Sequence, residues 1–140
     1  MKRSVVTKLG ASVLAVLLVC GCATFGKGPS DEELIAATIQ QWSTALAAQD
    51  ADKVMATYSE NFESADMPDK EAMRELIEMA IDQGFLEDVE VITDEAETVI
   101  EGTEATFGPV ELSGAMGSMT FDFTLQKEDG AWLIVGSEAG

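Results

Sequence analysis

The stretch MTFDFTLQKEDGAWLIV, Met119 to Val135, decides the fold. Met119, Phe121, Phe123 and Leu125 alternate with Thr120, Asp122, Thr124 and Gln126. That period of two puts apolar side chains on one face of a strand and polar ones on the other. Lys127-Glu128-Asp129-Gly130 supplies turn chemistry, and Ala131 to Val135 resumes the strand pattern, so the segment reads as an antiparallel hairpin. Upstream, Val89 and Val91 alternate with acids, and Ala105 and Phe107 with polar residues. Gly114 and Gly117 separate these from the hairpin.

Before Phe85 the period is helical. Ser30-Asp31-Glu32-Glu33 has the form of a capping box, with serine as N-cap and glutamate at N3. Leu34, Ile35, Ile39, Trp42 and Leu46 then recur at steps of three and four, predicting a helix that ends near Ala48. Asp50 caps a short second segment carrying Val54, Met55 and Tyr58, before Phe62. A third helix is predicted from Pro68-Asp69 to Gln83, with Met73, Leu76, Ile77, Ala80 and Ile81 apolar and Gly84 in the position of a C′ glycine. Helices followed by antiparallel strands are the α+β pattern.

Three pieces carry a resemblance: QQWSTALAAQDADKVMATYSENF (40–62), IEGTEATF (100–107) and FTLQKEDGAWLIV (123–135), with an amphipathic helix between the first two. In order and spacing they resemble the NTF2-like superfamily, of the SnoaL-like kind, from Ser30 to Val135. The resemblance implies an NTF2-like domain over 30–140, in which three N-terminal helical segments pack in a strongly curved antiparallel sheet. It also implies a cone with an apolar pocket at its open end. Many members dimerise through the outer face of the sheet.

The chain's two cysteines both precede this domain. Lys2, Arg3 and Lys8 lead an apolar run from Leu9 to Val19, the n-region and h-region of a secretory signal. A span needs ~20 apolar residues, and Gly26, Lys27, Gly28 and Pro29 end the run early. Cleavage after Ala23 would release a soluble protein. The alternative rests on a second resemblance, since Val19-Cys20-Gly21-Cys22 is similar to the lipobox of bacterial lipoproteins. That resemblance implies a signal peptide over 1–21, acyl chains on Cys22, and a tether over 22–29. Cys20 departs from the motif, and bulky Val19 before it makes it a poor acceptor. Stable anchoring takes two or more chains, at ~0.8 kcal/mol for each buried methylene, and a diacylated cysteine with an amide-linked third chain meets that condition. An envelope protein facing the periplasm follows. Ala23 is not an acid, so the inner-membrane retention signal of enteric bacteria is missing, which favours the outer membrane.

Charge excludes one class of partner. The full chain has a net charge of −18. Without the three signal bases, Lys27, Lys53, Lys70, Arg74 and Lys127 stand against 26 acids, a net of −21. Such a surface repels phosphate, so no nucleic-acid partner is expected. It repels anionic headgroups as well, so the domain stands off the membrane on its tether.

Catalytic signatures are sparse. There is no histidine, so no side chain has an ordinary pKa near neutrality. With no thiol after Cys22, neither a disulfide framework nor a thiolate metal site is possible in the body. Asp50-Ala51-Asp52 lacks the glycine and distal glutamate of a calcium loop, and helix capping explains it better. No cofactor is implied. Ketosteroid isomerase, an instructive relative, uses a first-helix tyrosine as oxyanion donor, an aspartate on the first strand as base, and a second, protonated aspartic acid. Laid over this chain, the tyrosine falls on Trp42 and the base on Asp66. If 62–66 is extended, Phe62, Ser64 and Asp66 share one face, and Asp66 points into the pocket. The competing reading makes Asp66 a solvated loop or cap residue beside Met67-Pro68. Asp122, between Phe121 and Phe123, is expected to face outward.

What remains is a pocket. Trp42, Tyr58, Phe62, Phe107, Met116, Met119, Phe121, Phe123 and Trp132 are the large side chains able to line it, although most are needed simply as core. The favoured reading is a non-catalytic envelope module that binds a small apolar ligand or a protein partner. The alternatives are an isomerase-like enzyme with Asp66 as base and Trp42 or Tyr58 as donor, and a homodimer through the outer sheet with no ligand.

Overall fold

The structure, a computed structural model, describes residues 28–140. The expected signal peptide over 1–21 and Cys22, the expected site of lipidation, therefore lie outside the described residues, as does most of the expected tether. Helix α1, Asp31–Ala47, begins as its capping box requires. Glu33 N–H donates to Ser30 Oγ at 3.2 Å, and Ser30 N–H donates to Glu33 Oε2 at 3.3 Å. Ile35, Ile39, Trp42, Ala45 and Leu46 are its buried face. Helix α2, Ala51–Met55, is capped by Asp50, which accepts from Lys53 N–H at 3.2 Å. Helix α3, Lys70–Asp82, is capped by Asp69 accepting from Ala72 N–H at 2.8 Å, and ends before Gly84 at φ +77°.

Five strands follow: β1 Glu90–Ile92, β2 Glu97–Glu101, β3 Glu104–Gly114, β4 Gly117–Glu128 and β5 Ala131–Ala139. All pairings are antiparallel. β2 pairs with the first half of β3 and β1 with its second half, and the order then runs β3-β4-β5. The β4–β5 turn is Asp129-Gly130, with φ of +50° and +84°. Two successive left-handed residues are what a two-residue hairpin needs to match the strand twist. The far edge of β5 is covered by residues 57–63: Ser59 N–H donates to Ile134 O at 2.8 Å and Ile134 N–H to Thr57 O at 2.9 Å. That cover removes an exposed sheet edge.

Two irregularities bend the sheet. Gly108 and Pro109 together stand opposite Asp122, between the Phe107–Phe123 and Val110–Phe121 pairs. On β5, Val135 is the extra residue between the Thr124–Gly136 and Leu125–Ile134 pairs. Each inserted residue increases local twist and bends its strand. Position 108 has no room for a side chain, since a Cβ there would collide with the Asp122 carboxylate.

The pairing register sends Ala105, Val110, Phe123, Leu125, Trp132 and Ile134 to the inner face, where all are buried against α1, α2 and Phe62. Trp42 stands edge-on to Phe121 and Phe123, at centroid distances of 6.0 and 5.0 Å. Burying each large apolar side chain contributes about 1.5–3 kcal/mol before entropy is counted. The start of α1 is fixed to the hairpin by polar contacts: Asp31 Oδ1 accepts from Lys127 Nζ at 2.8 Å and from Trp132 Nε1 at 3.0 Å. Buried Ser59 does the same for the strap after α2, donating to Glu128 Oε2 at 2.6 Å. One end of the molecule is thus closed, and the space lies at the other.

Candidate functional site

That space is a cavity of about 600 Å³ beside the C-terminal half of α1. Trp42, Leu46 and Tyr58 form its inner end, α3 contributes Met73, Leu76, Ile77 and Ala80, and the β3–β4 hairpin contributes Leu112, Met116, Met119, Phe121 and Phe123. The walls are mostly apolar, which suits a ligand with little polar surface. Leu76 is 36 % exposed, Met119 57 % and Met116 71 %, so these residues form the mouth. Four methionines, Met67, Met73, Met116 and Met119, line this one cavity. Unbranched and polarisable, they let a wall follow the shape of its occupant.

Tyr58 supplies the inner polar atom. Its ring is 4 % exposed and packs edge-on against Phe62 at 5.0 Å. Its oxygen accepts from Trp42 Nε1–H at 3.2 Å. Burial pushes the phenol up to about 12, the indole bond acting in the opposite direction. The hydroxyl's own hydrogen finds no acceptor among the described residues, although buried donors are as a rule satisfied. The Trp42 indole is occupied in holding Tyr58, so of the two proposed donors only the phenol has a free hydrogen.

Asp66 lies at the rim. Of the two readings of 62–66, the loop is the one observed: Ser64 to Met67 is a turn closed by Ser64 N–H to Met67 O at 2.8 Å and Met67 N–H to Ser64 Oγ at 3.2 Å. Serine favours such local bonds, and Pro68 confines Met67 to extended backbone. Asp66 is exposed on this turn and still lines the cavity. The adjoining cap is Asp69, not Asp66.

Trp42, Tyr58, Met116, Met119, Phe121 and Phe123 thus meet in one cavity, and three other lining candidates do not. Phe62 is buried beneath Tyr58, and Trp132 is core at the closed end, holding Asp31. Phe107 borders a smaller space of about 330 Å³ on the other side of α1, with Gln40, Ser43 and Thr93. The β3 bulge separates Phe107 from the stretch of strand that reaches the cavity. Asp122 is exposed on the outer face, as the alternation predicts. The walls from α3 and from Phe85, Leu86 and Val89 have a signal in sequence, an apolar helical face and run, but it reads equally as core.

The acids of the short second segment act structurally. Asp50 caps α2, and Asp52 accepts from Arg74 at 2.9 Å. Among the described residues no group of three or more ligating side chains is placed to hold a metal ion. None of their helices is long and apolar enough to cross a membrane.

No protein-family model matches the sequence, and no curated protein matches it. Solved structures do. An NTF2-like protein of unknown function from Pseudomonas putida KT2440 superposes with a TM-score of 0.68 at 16% identity, over 82% of this chain and 89% of that one. A second, from Shewanella oneidensis MR-1, gives 0.64 at 16%, over 79% and 98%. The chain has an NTF2-like fold. A protein of unknown function from Nostoc punctiforme, described as cystatin-like in fold, gives 0.65 at 17%, over 78% and 89%. At these identities the likeness concerns the NTF2-like architecture alone, which hosts unrelated functions.

Proposed function

We propose that the NTF2-like domain is a non-catalytic binding module for a small, largely apolar ligand, held at the bacterial envelope by lipid on Cys22. The observation that carries the binding half is the cavity itself: some 600 Å³ with apolar walls, a methionine-rich mouth, and at its inner end the buried Tyr58 hydroxyl, which accepts from Trp42 and keeps its own hydrogen to donate. A ligand oxygen that accepts from it gains a hydrogen bond worth about 0.5–1.5 kcal/mol. The favoured ligand has an apolar body and one acceptor oxygen. Trp42 lies about 16 Å along α1 from Asp31 at a rise of 1.5 Å per residue, so a tether leaving the start of α1 would not obstruct the cavity. The anchor reading is supported by the sequence of residues 2–22.

Titration of the soluble domain with the neutral dye N-phenyl-1-naphthylamine tests the binding half. Saturable fluorescence enhancement is expected, and replacing Ala80 in the cavity wall by Trp should abolish it while the circular dichroism is kept. A wild-type domain that shows no saturable enhancement refutes the reading. For the anchor, palmitate label should enter the protein in cells and vanish on Cys22→Ser; label that persists in the variant rejects it.

A second reading is favoured by one observation, that Tyr58, Trp42 and Asp66 share a cavity. In it the Asp66 carboxylate removes a proton α to a carbonyl whose oxygen accepts from Tyr58, as in an isomerase. Asp66→Asn would then eliminate turnover of a β,γ-unsaturated ketone without altering dye binding. The outer-sheet homodimer receives less support, since the register gives that face Glu104, Glu111, Asp122 and Glu138, and two copies would oppose like charges.

A further inference from the structure

We infer that the cavity selects ligands that carry a positive charge at the mouth, an apolar body with an amine or other cationic head, and rejects fatty acids and other anionic amphiphiles. The inference rests on the binding reading above and adds the charge of the ligand. It follows from where this chain has spent its bases. Lys53, Lys70, Arg74 and Lys127 are the cationic side chains among the described residues, and each is in an ion pair: with Asp50, with Glu60, with Asp52 and Glu78, and with Asp31. None lines the cavity. An anionic headgroup therefore finds no counter-charge there, and it also meets the repulsion of a domain with a large excess of carboxylates.

The mouth is the reverse case. The charged residues lining the cavity are Asp66 and Glu138. Glu138 pairs in register with Asp122, whose side chain is on the outer face, so Glu138 is turned from the interior. Asp66 is the carboxylate of the rim, and among the described residues it has neither an ion-pair nor a hydrogen-bond partner through its side chain. A second polar feature of the same cavity is the Tyr58 hydroxyl, buried at the inner end, where it accepts from Trp42 Nε1–H and keeps its own hydrogen to donate. A cationic head at Asp66, an apolar body along the methionines and an acceptor oxygen at Tyr58 match the rim carboxylate, the apolar walls and the inner hydroxyl.

The test displaces bound N-phenyl-1-naphthylamine with three probes of equal chain length, decylamine, decanol and decanoate, at neutral pH and low salt, below micelle formation. The amine is expected to displace the dye at several-fold lower concentration than decanoate, with decanol between, because an exposed ion pair attracts the amine weakly and the same carboxylate repels decanoate. Added salt and Asp66→Asn should each narrow the gap between amine and alcohol. Equal displacement by all three overturns the charge selectivity while leaving the binding reading intact. An undiminished amine preference in Asp66→Asn overturns the role of Asp66. Failure of the dye itself to bind removes the binding reading, and this inference with it.

Discussion

Replacing Tyr58 by Phe deletes one oxygen and separates two effects by pH. Burial moves the phenol from an ordinary 10.0 up to about 12, a difference worth roughly 3 kcal/mol. A pKa raised by folding means that the folded state holds the proton longer than the unfolded one. The associated stability is complete below pH 10 and is lost as pH climbs towards 12. At neutral pH the variant should be less stable by about 1–3 kcal/mol, because the Trp42 indole N–H is left without its acceptor. Through the alkaline window the wild type should lose up to roughly 3 kcal/mol relative to the variant, so the two converge or cross. Urea titrations followed by circular dichroism at stepped pH measure the difference, and groups common to both proteins cancel. Tyr58 is the only tyrosine, so tyrosinate absorbance reports its ionisation without ambiguity. A phenol that titrates at its ordinary value in the folded protein would refute the burial argument.

The other expectations concern the frame and the rim. Lys127 and Trp132 hold the Asp31 carboxyl below the usual carboxylate range, hydrogen bonding to Lys127 being the largest cause. Its contribution to stability is present above the ordinary value of 3.8 and is lost as pH falls through the lower folded value. Asp31→Asn should therefore show a flatter acid limb than the wild type in the same urea assay. Gly108→Ala should cost about 1–3 kcal/mol through overpacking against Asp122, and Asp122→Ala in the same chain should recover part of it. Ala80→Trp should remove dye binding with the secondary structure unchanged.

Much of the frame is legible in sequence because it is local. A capping box needs only the four residues Ser30 to Glu33, and it forms as written. The helical stripe of α1 and the alternation of β4 are periodicities that report one inner face each; the α1 face is buried, and on β4 Phe123 and Leu125 are buried while Met119 reaches the cavity mouth. The turn at Asp129-Gly130 is fixed by backbone preference within two residues. The site is less legible. An apolar side chain at helical spacing reads the same whether it meets another side chain or an empty space, so Met73, Ile77 and Ala80 give no sign that they are walls. For Asp66 the sequence leaves an extended run and a solvated loop both open, and the Ser64 turn beside Pro68 is the loop.

The sequence by itself determined the α+β order, the helix ends, the hairpin turn, the large acidic excess and the absence of histidine, all of which depend on neighbours or on counting. Tertiary structure alone decided which of the aromatic side chains surround a hollow and which fill the core, and where every described base is tied up. It also set the buried Tyr58 hydroxyl at the inner end of the cavity. Those properties come from bulges that bend a sheet and from pairs far apart in the chain, such as Trp42 with Tyr58 and Asp31 with Lys127, and no local pattern encodes them.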